Sequence, residues 1–419
     1  MTRHAPPDQA RRTARPGWLQ ALATVLAGAV AMGAVAALGL WAAGADGLPG
    51  HVFAGTVAAT VVTAAGGGLD VSADAGPLAD TRAGLTAMPL SVTLAGALVI
   101  GAGFLRPLRH RPLTGGRALA GWAARIAVCW LAALTGLAYG ARQDFAVPLG
   151  GGTLADLGGL FGVSPRAGFR ADVPVTLLCG LGWLAVVLVL ALLVSRGTPL
   201  PARLGRYRRP VRPAAAAMVA LLLGSVVIGL VVGLVVAATR GHAAQTFAVL
   251  LLGLPNLVWL ALTIGLGASW EGRVDGPFGL PVPHLLDQVL RAPDLSTLDL
   301  RTLAEYDARV WWLPVVDAVL LPAAAYWAAR RSPAGTRPWQ HAVRLALALA
   351  LMVLLICLLA RIDTHYTLSL PIFGDLNGAL SGRLVLHPHV WTTLGFAVLW
   401  GLVTGFLGAL ATGRSGSAP

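Results

Sequence analysis

Two charged motifs that recur at a constant spacing are the first residues in this sequence that could do chemistry. Each copy has an arginine and an aspartate two residues apart, followed by another aspartate in the next loop: Arg142, Asp144 and Asp156, then Arg361, Asp363 and Asp375. Side chains two residues apart do not face each other on a helix, so each should pair with another group. The motif therefore predicts either a brace within an outer loop or a charged vestibule around a solute pathway.

Three further charged residues, Asp317, Arg125 and Arg344, lie inside apolar runs. A charge at the centre of a bilayer costs about 2.5–3.5 kcal/mol on insertion scales, so these side chains should face protein, a cavity or the interface. Arg125 and Arg344 lie near basic segments, from which they can snorkel to the membrane surface or line a pathway. Asp317 aligns with the apolar Val92 of the first copy and breaks the symmetry.

A metal site is the remaining chemistry to consider. His365, His387 and His389 lie near Asp363 and Asp375, and imidazole with carboxylate suits zinc. The spacing matches no zinc motif and the first copy has no such set, so we predict ordinary histidines and no metal or cofactor. All 31 basic residues are arginine, which excludes a P-loop and a lysine Schiff base. The sequence has no nucleophile–base set and no paired carboxylates at helical spacing, so it does not favour an enzyme, although it leaves that question open.

The composition indicates which elements position these residues. The chain is 56% hydrophobic and only 12% charged, with a mean hydropathy of +0.73, whereas a soluble domain has about 25% charged residues. Several apolar runs have the length of about 20 residues that a helix needs to cross a bilayer. The sequence therefore predicts an all-α polytopic membrane protein. Cys129, Cys179 and Cys357 lie inside these runs and are expected to be small apolar residues.

Eight runs are predicted to cross: 18–43, 87–105, 118–140, 173–195, 214–238, 310–329, 339–360 and 390–411. Two more, 52–69 and 243–268, are weakly apolar or interrupted. Glycine and proline residues mark the candidate breaks: Gly66, Gly67 and Gly68 in the first, and Gly253, Pro255 and Asn256 in the second. Pieces this short predict re-entrant elements that enter and leave on one side. The alternatives are a kinked span, which would give ten crossings, and a surface helix.

The distribution of arginine favours eight crossings. Arginines near span ends stay cytoplasmic. With eight crossings the cytoplasmic segments hold most arginines and a single acid, while the outer segments hold nearly all the acids. With ten crossings this bias disappears. We therefore predict a protein of the cell membrane with cytoplasmic termini. The net charge of +13 then reflects topology, and we expect no nucleic-acid partner.

Four spans and one re-entrant element per copy would give two repeats that face the same way, the parallel kind found in some transporters. The predicted segments are a disordered basic tail 1–17, repeat one 18–196, an Arg/Pro-rich cytoplasmic linker 197–213, repeat two 214–414 with an outer insert 270–309, and a cytoplasmic tail 415–419.

The stretches "GHVFAGTVAATVV" at Gly50 to Val62 and "RQDF" at Arg142 to Phe145 make the chain resemble the streptophobe family, which consists of very hydrophobic, arginine-rich bacterial membrane proteins. The resemblance implies membrane residence and supplies no activity or functional residue. The sequence leaves two function classes open. One is a small-solute permease or channel-like transporter with its pathway between the repeats. The other is a non-transporting component that binds membrane lipid or a partner protein.

Overall fold

The computed structural model describes residues 17–47, 49–74, 80–85, 87–110, 116–146, 166–195, 202–239, 241, 243–275, 296–333, 335–369 and 382–413. Asp156 and Asp375 lie outside these residues. Asp144 lies in a strand, but its side chain is not among those described.

Long helices form most of the described chain. The first half contains α1 (Trp18–Ala42), α2 (Gly50–Ala64), α3 (Leu90–His110), α4 (Gly116–Gly140) and α5 (Val173–Val194). The second half contains α6 (Ala202–Thr239), α7 (Ala243–Gly265), α8 (Leu300–Tyr306), α9 (Trp312–Arg331), α10 (Pro338–Leu359) and α11 (Val390–Ala411). Among the described residues, nine helices are long and apolar enough to cross a membrane, namely all except α2 and α8. The prediction of an all-α polytopic membrane protein is confirmed.

The structure contains an antiparallel sheet of eight strands that the sequence analysis did not predict. The strands are formed by segments that were predicted to be outer loops. Its strands are β1 (Leu69–Asp74), β2 (Asp80–Leu85), β3 (Gln143–Ala146), β4 (Arg166–Ala171), β5 (Trp270–Asp275), β6 (Ser296–Leu298), β7 (Ile362–Ser369) and β8 (Gly382–Pro388). They lie in the order β3-β4-β1-β2-β7-β8-β5-β6. Helices α2, α4, α7 and α10 end just before a strand, and α3, α5 and α11 begin just after one. These helix ends therefore share one side of the molecule, the sheet side.

Both halves order their strands in the same way: β3-β4-β1-β2 in the first corresponds to β7-β8-β5-β6 in the second. The turns that end α2 and α7 also share one hydrogen-bond pattern. Gly67 N–H donates to Val62 O at 3.0 Å, and Ala268 N–H donates to Thr263 O at 2.9 Å. This bond closes a Schellman turn, whose left-handed residue is glycine because it has no Cβ. That residue is Gly66 (φ 93°) in the first half and Gly267 (φ 99°) in the second.

Both turns lie slightly inside the sheet-side ends of the neighbouring helices. In the first half, Thr93 Oγ1 near the start of α3 donates to Ala64 O at 2.8 Å. In the second, the last residue of α7, Gly265, contacts Leu313 and Asp317 near the start of α9. Helices α2 and α7 therefore reverse at a similar depth below the sheet.

The predicted break in the second interrupted run is wrong, because α7 is continuous through Pro255. Proline removes one backbone donor, but surrounding helices maintain the helix. On one side, Gly229 and Gly233 of α6 let Leu254 and Leu250 approach closely. On the other sides, α7 packs on α1 and α3. Compared with α2, which has 15 residues, α7 has 23 and carries additional turns at its N-terminus.

The predicted linker 197–213 is also different, because α6 begins at Ala202 and continues into the apolar run. The insert 270–309, predicted to be an outer one, contains the helix α8, capped by Asp299, whose Oδ1 accepts from Thr302 N–H at 2.8 Å.

Each half has its own packed core. The first is built around Trp122, Ile126 and Trp130 of α4, all fully buried. In the second, α11 approaches α10 and α9 through the small residues Gly401, Gly405 and Gly408. Small residues allow such close backbone contact between membrane helices.

Candidate functional site

The register of the sheet separates its charged from its apolar residues. Directly paired residues of an antiparallel sheet lie on the same face. Asp70 pairs with both Arg170 and Gly84, and Gly84 pairs with His365. The same parity continues to the pair of Glu271 and His387. We call this face the charged sheet face. Among the side chains that the structure describes, its polar and charged members are Asp70, Ser72, Arg142, Arg170, Asp172, Glu271, Arg273, Arg361, Asp363, His365, His387 and His389.

The opposite face is apolar and packs on the helices. Leu69, Phe169 and Ala171 are buried against α2 and α4. Trp270 and Leu298 are fully buried in the core of the second half. The alternation of apolar and polar positions along strands such as β1 and β5 is therefore the physical reason that the sheet covers the helix ends and presents charge on its other face.

In the first half, a cavity of about 560 Å³ is lined by Asp70, Arg142, Arg170, Ala171 and Asp172. Three structural features position these charges. The guanidinium of Arg142, which lies between α4 and β3, is 4.9 Å from the ring centroid of Tyr139. Asp172 is the N-cap of α5, and its Oδ1 accepts from Val175 N–H at 3.3 Å. Asp70 lies directly across the strand pair from Arg170.

The corresponding positions of the second half carry different chemistry. Glu271 occupies the place of Asp70, Arg361 that of Arg142, and His387 and His389 those of Arg170 and Asp172. His389 Nε2 lies 2.8 Å from Glu271 Oε1, and His387 Nε2 lies 4.0 Å from Asp363 Oδ2. All four side chains are 36–44% exposed, so these contacts are surface pairs of small energetic value.

His387 and His389 thus contact different carboxylates. Within the described part of the chain, no group of three histidine, cysteine, aspartate or glutamate residues is arranged to hold a metal ion.

The intramembrane charges lie at opposite ends of the molecule. Asp317 is only 3% exposed, beside the last residue of α7, and its Oδ2 has no hydrogen-bond partner among the described residues. Arg125 lies 6.0 Å from the ring centroid of Trp18, at the end of α1 that is distant from the sheet. The structure therefore does not bring Asp317 and Arg125 together. Arg344 is half-buried on α10.

The candidate breaks have distinct environments. Gly66 and Gly67 form the turn after α2, and Gly68 follows them. Asn256 makes a contact between the halves: its Oδ1 accepts from Leu90 N–H at 3.0 Å, and its Nδ2 donates to Met88 O at 2.9 Å.

Sequence reasoning missed Asp70, Arg170, Asp172 and Glu271, because the loops were not read as strands. A signal was present in the alternating apolar and charged residues of "LDVSAD" at 69–74 and "RAGFRAD" at 166–172. Such alternation over four to eight residues is typical of a half-buried strand.

Comparison with known proteins gives no match to a family model, to a curated protein or to a solved structure. The resemblance to the streptophobe family therefore stays a prediction, and the chemistry of the site has to be argued from its own residues.

Proposed function

We propose that this multi-pass membrane protein is a non-transporting component that binds lipid or a partner protein through its charged sheet face. The observation that carries the proposal is the concentration of acidic, basic and imidazole side chains on that face, beside a cavity of about 560 Å³. The stability of the fold does not explain such a surface, because an exposed ion pair contributes only about 0–1 kcal/mol to the free energy of unfolding.

The proposed topology has eight crossings and two parallel repeats. The matching strand order and the matching turns after α2 and α7 support the repeats. Although α7 is long enough to cross, its middle already lies at the sheet-side end of α3, where Ser91 Oγ donates to Leu250 O at 2.9 Å. Both α2 and α7 then enter and leave on the sheet side. The arginine distribution supports the assignment of that side to the outside and of both termini to the cytoplasm.

The contact between the halves supports a fixed arrangement. Helix α7 of the second half packs on α1 and α3 of the first, and the two bonds of Asn256 fasten it there. On the sheet side, β2 pairs with β7 from Asp80↔Ser369 to Leu85↔Thr364. A rocking motion of one half against the other would have to disrupt these bonds, which favours binding over transport by alternating access.

Photo-crosslinking tests the proposal. A photoreactive amino acid replaces Ser72, which is exposed on the charged sheet face, and the matched control replaces Val128, a 54% exposed, lipid-facing position of α4. Irradiation of membranes that contain the protein should give a discrete lipid or protein adduct at position 72 that an Arg142→Gln background removes. Position 128 should give only acyl-chain adducts. The proposal is wrong if position 72 gives no adduct, or if the adduct is unchanged by Arg142→Gln.

A small-solute permease is the second candidate, because one observation favours it. The carboxylate of Asp317 is buried without a partner for Oδ2 at the reversal of α7, and the missing side chain of Gly265 leaves it room. Intramembrane acids often mark ion or substrate pathways. Uptake or conductance in proteoliposomes across a panel of solutes tests this role. Movement that Asp317→Asn abolishes would support it, and no movement of any solute would exclude it.

A further inference from the structure

We propose that the cavity of the first half binds a phosphoethanolamine group, that is, a phosphate and a primary amine in one ligand. This inference rests on the proposed binding function and names the ligand class. Four charged side chains of the cavity carry it: Arg142, Arg170, Asp70 and Asp172.

The two guanidinium groups form the anionic subsite. Gln143 pairs with Phe169, which places the preceding residue of one strand, Arg142, opposite Arg170 on the charged sheet face. Guanidinium forks bind phosphate oxygens with two parallel hydrogen bonds. The contact of Arg142 with the ring of Tyr139 orients its side chain before a ligand arrives, which reduces the entropy lost on binding.

The two carboxylates form the cationic subsite. Asp70 is the direct cross-strand neighbour of Arg170, and Asp172 follows Arg170 by two residues and so lies on the same face. Since Oδ1 of Asp172 is occupied by the N-terminus of α5, its orientation is fixed while Oδ2 remains as an acceptor. Ionised carboxylates only accept hydrogen bonds, and an ammonium group supplies three donors.

Charge balance favours a zwitterion over a simple ion. Among the described residues, the lining holds two arginines and two aspartates, so groups of both signs face the cavity. A phosphate alone would contact the guanidinium groups and make no contact with the carboxylates, and an amine alone would do the reverse. A volume of about 560 Å³ is far larger than the roughly 10–15 Å³ that a cavity needs to hold one water, so a multi-atom ligand fits.

The position of the cavity makes a lipid headgroup a natural source of this chemistry. Arg142 directly follows α4 and Asp172 directly precedes α5, two of the helices that are long and apolar enough to cross. The cavity therefore lies where membrane helices end and headgroups are found. A free phosphoethanolamine would present the same two charges, and the experiment separates the two sources.

The corresponding positions of the second half carry a different set of side chains. Arg361 corresponds to Arg142, but His387 and His389 stand where the first half has Arg170 and Asp172. That site has one guanidinium, so it should not reproduce the balanced pair of subsites.

The test uses the full-length protein, delipidated in detergent, and isothermal titration calorimetry. The probes are phosphoethanolamine, inorganic phosphate, ethanolamine, dihexanoyl phosphatidylethanolamine and dihexanoyl phosphatidylglycerol. Phosphoethanolamine should bind at least tenfold more tightly than phosphate or ethanolamine. Arg142→Gln and Asp70→Asn should each weaken it by about 10–100-fold, the effect of losing one hydrogen bond to a charged group. Arg301→Gln, which replaces an exposed arginine of α8 outside the charged sheet face, should change it less than twofold.

The comparison of the two lipids identifies the source. Tighter binding of dihexanoyl phosphatidylethanolamine than of free phosphoethanolamine indicates a lipid headgroup, and weaker binding indicates a soluble ligand. Equal binding of phosphate alone, equal binding of the glycerol headgroup, or an equal loss in Arg301→Gln would overturn the proposal. All three variants replace exposed side chains, and unchanged thermal unfolding would show that they fold. If the ligand class is wrong but position 72 still crosslinks, only this inference fails and the binding function stands.

Discussion

Asn256 offers the sharpest test of how the two halves are joined. Its side chain accepts from Leu90 N–H at 3.0 Å and donates to Met88 O at 2.9 Å, so Asn256→Ala removes both bonds. Leu90 is only 1% exposed, so its N–H has little access to water. An unsatisfied buried backbone group costs about 1–3 kcal/mol, and we expect Asn256→Ala to destabilise the protein by about 2–4 kcal/mol.

A matched variant lies at the same contact. Ser91 Oγ donates to Leu250 O at 2.9 Å, but this carbonyl is inside α7 and retains its helical hydrogen bond. Ser91→Ala should therefore cost less than about 1 kcal/mol. Asn256→Asp should fall between them, because it keeps the acceptor for Leu90 and places a charge against Met88 O.

Reversible unfolding in mixed micelles, followed by tryptophan fluorescence, measures these differences. Equal effects of Asn256→Ala and Ser91→Ala would refute the reasoning, because it rests on the difference between an obligatory and a redundant hydrogen bond. So would an Asn256→Ala protein with wild-type stability.

Two further predictions concern packing and topology. A Cβ on Gly401 would meet the backbone of Ala346, at 2.9 Å from its nitrogen, whereas one on Gly395 of the same helix has open space. Gly401→Ala should therefore destabilise by about 1–3 kcal/mol in thermal unfolding, and Gly395→Ala should be neutral or stabilising by up to about 1 kcal/mol; the same sign for both would contradict the packing. In intact cells, a membrane-impermeant thiol reagent should modify Asp46→Cys, which precedes α2. It should not modify Pro333→Cys, between α9 and α10, unless the membrane is permeabilised. The reverse pattern would invert the proposed orientation.

The membrane class was predictable because the information is local. Apolar runs of about 20 residues specify helices whatever their neighbours are, and the structure has long helices at all eight predicted spans. The ends of α4 and α11 fall at the predicted residues or close to them.

The sheet was not predictable in the same way, because its pairing is non-local. Strands as short as β3 and β6 carry little signal by themselves, and β2 finds its second partner in the other half of the chain. The charged sheet face depends on this register. When the Arg-x-Asp motifs are interpreted as loops, Arg142 and Arg361 can be identified as candidate site residues. The residues that lie next to them across the strands cannot.

Pro255 shows a local rule overruled by tertiary contacts. Proline in a helix interior predicts a break, yet α7 continues because its neighbours hold it on several sides. Asn256, which sequence reasoning assigned to that break, instead bonds to the backbone of the other half.

The pairing of β2 with β7 also has a consequence for synthesis of the protein. At about 5–20 residues per second, the ribosome reaches β7 roughly 15–55 s after it has made β2. Throughout that interval the outer edge of β2 presents main-chain donors and acceptors with no partner from its own second half, and such an edge readily accepts a foreign strand. A nascent chain that stalls before β7 can therefore pair with another nascent chain. Synthesis of β7 prevents this, because β7 then occupies the free edge of β2.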